Sequence, residues 1–180
     1  MYRMFLSRRF FSLGSKIERT VIQKKPVNMS YLLQFDGAAD PNPGPASGAY
    51  VLFSPPTKDN GSLCRFVVEE GYRFLPKATN NEAEYTGLIL GLQAAREHGV
   101  KNIEIEGDSQ LVINQVLGAW QVKTPTLVPL KSKAANLYYT FPTRLLRHIP
   151  RELNTDADYL SKEALKTKTE VHRKTSSLVI

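Results

Sequence analysis

The apolar pattern changes its period near Asn80, and that change limits the folds open to the chain. Before it, residues 31–35, 48–53 and 63–75 are short apolar or alternating runs. Breaker clusters separate them, the Asp40-Pro41-Asn42-Pro43-Gly44-Pro45 stretch and residues 54–62. This spacing predicts three strands joined by turns, an antiparallel meander. After it, Tyr85, Leu88, Ile89, Leu92 and Ala95 recur at helical spacing as far as Gly99, which predicts a helix over 80–98. Val100, Ile103 and Ile105 predict a fourth strand ending at Gly107-Asp108, and Arg144 to Ile149 a fifth. Further helices are expected over 109–118, 129–140 and 155–166. A meander followed by alternating helices and strands predicts an α/β fold: a five-stranded mixed sheet, antiparallel and then parallel, flanked by helices.

A chain of 180 residues with 42% hydrophobic content can bury one domain's core. The single cysteine, Cys64, cannot bridge internally, and no apolar run nears the ~20 residues of a membrane helix. Disulfide scaffolds and helical membrane proteins are thereby excluded. The net charge of +7 points to nucleic acid, but residues 1–28 carry +6 of it and residues 166–180 carry +3, leaving −2 between. Within that middle, residues 121–151 hold Lys123, Lys131, Lys133, Arg144, Arg147 and Arg151 with no acid, either a nucleic-acid contact or an ordinary solvated face.

Three segments are expected: 1–28, 29–166 and 167–180, the last a basic, flexible tail. Residues 1–17 hold Arg3, Arg8, Arg9 and Lys16, no acid, and Leu6, Phe10, Leu13 and Ile17 on one helical stripe. This is the pattern of a mitochondrial transit peptide leading to the matrix. A basic arm for nucleic acid or a membrane surface is the other reading. Translation from Met29 would give a cytosolic or nuclear form.

Four carboxylates stand where strands end or helices begin: Asp36, Glu84, Asp108 and Asp158. Such positions on one side of an open α/β sheet form the ligand crevice. Four acids gathered there repel unless cations lie between them, and oxygen ligands suit hard divalent ions such as Mg²⁺. Two ions roughly 3.5 to 4 Å apart can activate water and stabilise the leaving oxygen of a phosphodiester. The bland alternative is helix capping, since Asn81-Glu82-Ala83-Glu84 and Thr155-x-x-Asp158 fit a capping box and Asp108 can cap the helix behind it. Capping does not account for Asp36. Spacing alone leaves both readings open.

Residues 31–165 resemble a type 1 ribonuclease H. The resemblance rests on Phe35-Asp36-Gly37, Asn42-Pro43-Gly44, Asn80-Asn81-Glu82-Ala83-Glu84, Gly107-Asp108-Ser109-Gln110, and Arg151-Glu152-Leu153-Asn154 before Ala157-Asp158, in that order. It implies the ribonuclease H-like fold and an endonuclease that cuts the RNA strand of an RNA:DNA hybrid, leaving 5′-phosphate and 3′-hydroxyl ends. It also implies two Mg²⁺ ions, with Mn²⁺ as a substitute. Asp36 would bridge both, Glu84 and Asp108 would hold the ion nearer the leaving group, and Asp158 the ion that prepares water. Glu82 and Asp156 lie some 200° of helix from their neighbours and are set aside.

The same resemblance places Asn42, Asn81 and Gln110 at the hybrid's minor groove, where the 2′-hydroxyl distinguishes RNA from DNA. It places Thr79 and Asn80 on phosphate. As ordinary structure, Asn42 is a turn residue and Asn80 or Asn81 a cap. Trp120 is expected either in the DNA-strand groove or in the core. No basic helix is inserted after residue 118, so affinity would fall more to Lys131, Lys133 and the basic tails. His148 matches the distance of an auxiliary histidine involved in product release, yet its surroundings read as strand rather than loop. The hybrid is the expected partner of a monomer, without a stable protein partner or membrane. A catalytically silent binding module of this fold, a junction resolvase and an exonuclease are the alternatives.

Overall fold

Alternation in the first strand sets the layers. In the computed structural model, which describes residues 29–175 apart from residue 60, strand β1 (Tyr31–Ala39) turns Leu33 and Phe35, both fully buried, into the main core. Gln34 and Asp36 face the opposite layer, as a strand's period of two requires. The expectations for residues 1–28 lie outside the described residues.

After β1 come β2 (Gly44–Phe53), a small hairpin of β3 (Thr57–Asp59) and β4 (Ser62–Cys64), and the long β5 (Val67–Ala78). Helix α1 (Asn80–Glu97) leads to β6 (Asn102–Gly107), α2 (Gln110–Val116), α3 (Leu127–Tyr138), β7 (Thr143–His148), α4 (Thr155–Thr167) and β8 (Glu170–Lys174). The main sheet runs β7-β6-β1-β2-β5-β8. The pairs β1–β6 and β6–β7 are parallel and the other three antiparallel. Helices α1, α2 and α3 cover one face with the larger core, while Leu160 and Ala164 of α4 pack on Ala49, Val51 and Tyr72 on the other.

The mixed sheet and its meander match the sequence expectation, but the sheet has six strands rather than five. The sixth, β8, falls within the 167–180 segment expected as a flexible tail. It is an edge strand fastened by polar contacts: Arg73 with Glu170 at 2.6 Å, Arg173 with Glu70 at 3.2 Å, and His172 with the Tyr50 hydroxyl at 3.1 Å. Only Val171 is apolar and half-buried, so no period-two pattern announces the strand.

Close backbone packing fixes where α1 sits. A Cβ on Gly37 would lie 2.1 Å from the Glu84 nitrogen, and one on Gly48 would lie 2.4 Å from the Gly87 nitrogen. Helix and strands therefore touch backbone to backbone.

Candidate active site

Asp36 owes its position to a mismatch in strand length. It does not end β1, contrary to the sequence expectation, because β1 continues to Ala39 paired with β2. Its parallel pairing with β6, however, stops at Gln34 opposite Glu106. Beyond that point one flank of β1 is open, and Asp36 is the first side chain on the α4 face there. Glu84 arrives in the second turn of α1, held against Gly37, and Asp108 immediately follows β6.

Asp36, Glu84 and Asp108 each present a carboxylate oxygen, and these oxygens lie within 4.8 Å of one another. Asp36 and Glu84 are buried, and Glu84 Oε2 has no hydrogen-bond partner. Asp158, on the first turn of α4, is not part of that trio. Its oxygens are held by Arg151 and by Lys162, the latter at 2.5 Å. Ser161, one turn further along α4, donates to Asp36 Oδ2 at 2.5 Å and so links the fourth carboxylate's helix to the first.

The charges respond to this crowding. Burial pushes the Asp36 carboxyl up to about 6; Asp108 and Asp158 add to the rise, while the Ser161 hydrogen bond and Arg151 oppose it. Burial, reinforced by Asp36 and Asp108, holds Glu84 well above the usual carboxylate range. For Asp158, burial is outweighed by hydrogen bonds from Lys162 and Arg151, and its pKa falls. The Arg151 guanidinium is in turn held protonated by Asp158. Three crowded oxygen donors, two of them resisting ionisation and one with an unpartnered buried oxygen, fit a hard divalent cation.

None of Glu84, Asp108 and Asp158 is a cap. Thr79 caps α1, its hydroxyl accepting from the Glu82 N–H at 3.3 Å while Glu82 accepts from the Thr79 N–H at 2.7 Å. The box therefore starts two residues earlier than Asn81, and Glu82, set aside as a ligand, is its acid. Ser109 caps α2. At α4 the cap residue is Asn154, without a side-chain cap bond.

The sequence reading names Asn154 and Arg151 only within a motif or a basic stretch and gives them no role at the site; it does not name Ser161. Asn154 is fully buried, and its Nδ2 donates to the Phe35 carbonyl at 2.9 Å and to Asp108 Oδ1 at 3.1 Å, tying β1, Asp108 and α4 together. Ser161 carries a legible signal, being three residues from Asp158 on one helix face. Arg151 counts in a basic stretch and as the first residue of the Arg151-Glu152-Leu153-Asn154 motif, without a role at the carboxylates.

Of the expected substrate residues, Asn42 Oδ1 accepts from the Asn80 N–H at 3.0 Å, joining the first loop to the start of α1. Thr79, Asn80 and Asn81 are half-buried there, and Gln110 is exposed at the start of α2. His148 ends β7 as strand, as expected, with Nε2 3.2 Å from the Asp108 carbonyl. Trp120 is 48% exposed and thus not core; it lines a groove with Val122, Val128 and Lys131. Lys133 lies elsewhere, in a groove between α1 and α3 with Gln93, Arg96 and Asn136. The structure separates the two lysines that the sequence reading grouped.

A sequence family described as reverse transcriptase-like matches residues 34–164. The ribonuclease HI of Halobacterium salinarum is 44% identical over 131 residues, which are 73% of this chain and 62% of that protein. A bifunctional protein of Mycobacterium tuberculosis is 36% identical over 137 residues, 76% of this chain and 36% of its own length. The chain thus spans less than two thirds of these curated relatives. Among solved structures, RNase H1 from Halobacterium salinarum superposes with a TM-score of 0.66 at 40% identity, covering 77% of this chain and 98% of that one. The N-terminal RNase H domain of the mycobacterial protein gives 0.69 at 34%, covering 77% and 95%. LC11-RNase H1 in complex with RNA/DNA hybrid gives 0.66 at 32%, covering 77% and 99%.

Proposed function

Since the chain belongs to the type 1 ribonuclease H family, we propose that it is an endonuclease hydrolysing the RNA strand of RNA:DNA hybrids, with 5′-phosphate and 3′-hydroxyl products. The observation that carries this reading is the trio of Asp36, Glu84 and Asp108 oxygens within 4.8 Å, with Glu84 Oε2 buried and unpartnered. Asp36, Glu84 and Asp108 would hold one divalent ion, and Asp158 with Asp36 a second. Mg²⁺ is the ion proposed, with Mn²⁺ able to replace it. When bound, such ions supply activation of water and stabilisation of charge on the leaving oxygen.

The chain's own groups do the rest. Arg151 and Lys162 hold the Asp158 carboxyl below its usual range, so it stands ionised as a candidate cation ligand. Asn154 holds the Asp108 carboxylate in place through Nδ2. Asn42, bonded to the Asn80 nitrogen, locks the loop after β1 onto the start of α1; Asn42 and Asn81 there, with Gln110 at the start of α2, are the amides offered to 2′-hydroxyls. Thr79 and Asn80 face the phosphates. Trp120 and Lys131 form a second contact, a flat ring beside a cation, suited to the sugars and phosphates of the DNA strand. His148, beside the Asp108 backbone, is positioned to assist product departure. The proposal includes delivery to the mitochondrial matrix by residues 1–28.

Asp108→Asn tests the site. Cleavage of a labelled hybrid in Mg²⁺ is expected to fall by about a thousandfold or more while hybrid affinity stays within a few-fold. Undiminished cleavage would remove the assignment. Wild-type protein should leave duplex DNA and duplex RNA intact; equal cutting of both duplexes would replace the hybrid reading with a broader nuclease.

A further inference from the structure

A carboxylate shared between two cations has to be held in one plane, yet the terminal torsion of an aspartate is soft. Asp36 is held by a fully buried serine: Ser161 Oγ lies 2.5 Å from Oδ2. That serine is itself fixed, because Ser47 Oγ on β2, also fully buried, donates to the Ser161 carbonyl at 2.5 Å. Packing of Leu160 and Ala164 on either side of it seats this stretch of α4 against the sheet. A chain of contacts thus runs from β2 through α4 to the side chain of β1. The Ser161 hydroxyl also lies 2.9 Å from the Asp158 carbonyl of its own helix, but its shorter contact, to Asp36, is the one that leaves the helix, and an alanine would satisfy the helix and the packing without it.

We propose that Ser161 is a positioning residue for the divalent-cation site, its hydroxyl holding the Asp36 carboxylate in the orientation that lets it share cations with Glu84 and Asp108. The inference rests on the reading of these acids as cation ligands. It assigns Ser161 no contact with substrate or with the reacting atoms. It also makes the docking of α4 a condition for cation binding at a carboxylate on β1, in addition to supplying Asp158.

The test is a Mn²⁺ titration of the full chain, without hybrid, read by the electron paramagnetic resonance of free Mn²⁺. Ser161→Ala is expected to weaken binding by about tenfold or more, and Ser161→Thr, which keeps the hydroxyl, to restore it. In cleavage assays the Mg²⁺ needed for half-maximal rate should rise by the same factor in Ser161→Ala. The KM for hybrid at saturating Mg²⁺ should not change. Ser47→Ala, which removes a buried hydrogen bond but leaves the Ser161 hydroxyl, should lower the melting temperature while shifting the Mn²⁺ midpoint by less than about threefold. Should Ser161→Ala fail to fold, Ser161→Cys, similar in shape and a weaker donor, is expected to show a shift in the same direction. A folded Ser161→Ala or Ser161→Cys that binds Mn²⁺ as the wild type does overturns the inference alone. Wild-type protein that binds no Mn²⁺, or Asp36→Asn that binds it unchanged, overturns the cation reading beneath it.

Discussion

Without divalent cations, Asp36 keeps its proton to a higher pH than an ordinary aspartate does. A rise from 3.8 to about 6 corresponds to roughly 3 kcal/mol between the two forms. The folded chain holds this proton more tightly than the unfolded chain, so its contribution is favourable below pH 3.8 and is lost as pH climbs towards 6. Glu84 has the same sign. Asp158 has the opposite one, stabilising above its ordinary value and losing that stabilisation in acid. Protein in a chelator should therefore melt at a higher temperature near pH 5 than pH 7.5, as far as this pocket is concerned. Asp36→Asn, which cannot ionise, should raise stability at pH 7.5 by about 1–3 kcal/mol and flatten the pH dependence. Added Mg²⁺ should stabilise the wild type more at pH 7.5 than at pH 5. Calorimetric scans across pH check all three, and an Asp36→Asn protein less stable at both pH values would contradict the account.

Element packing is where the glycines of α1 and the first two strands matter. A methyl on Gly48 meets backbone atoms, Gly87 N at 2.4 Å and Ala83 O at 2.6 Å, whereas one on Gly91 meets the end of the Leu33 side chain at 2.5 Å. Side-chain ends can move and helix backbone cannot, so Gly48→Ala should cost about 1–3 kcal/mol and Gly91→Ala less. Gly48 lies beneath the turn that carries Glu84, so its variant should also lose cleavage activity, while Gly91→Ala keeps it; denaturant melts and rate measurements together decide this. At this scale the sequence was most legible where burial imposes periodicity. The helix over 80–98 is observed as Asn80–Glu97, and that over 155–166 as Thr155–Thr167. β8 escaped because an edge strand with four exposed polar residues has no apolar rhythm; β3 escaped because it is wholly exposed, and β4 was read as the start of one strand over 63–75, which the structure splits into β4 and β5. Of the four acids read from the sequence, Asp36, Glu84 and Asp108 come together, although Asp36 lies inside β1 rather than at its end. Their supports were less legible: the spacing of Ser161 from Asp158 and the motif around Asn154 mark both residues, but not what they bind, since their partners lie 119 and 125 positions away.

Over the whole molecule, the described domain is nearly neutral, so its grip on a polyanion comes from where cations sit rather than how many there are. Lys131 stands with exposed Trp120, and Lys133 stands on another groove with Arg96. Lys131→Ala should weaken hybrid binding and reduce the slope of log affinity against log salt by about one, with Lys133→Ala changing it much less. Fluorescence anisotropy between about 50 and 200 mM salt measures both; equal slopes for the two variants would place the hybrid across both grooves. The bond from Ser161 to Asp36 also has a temporal meaning. Ribosomes deliver Asp36 first and α4 last, and until that final helix settles, the aspartate has neither its serine nor the companionship of Asp158. A chain that still lacks α4 is therefore expected to lack a complete cation site.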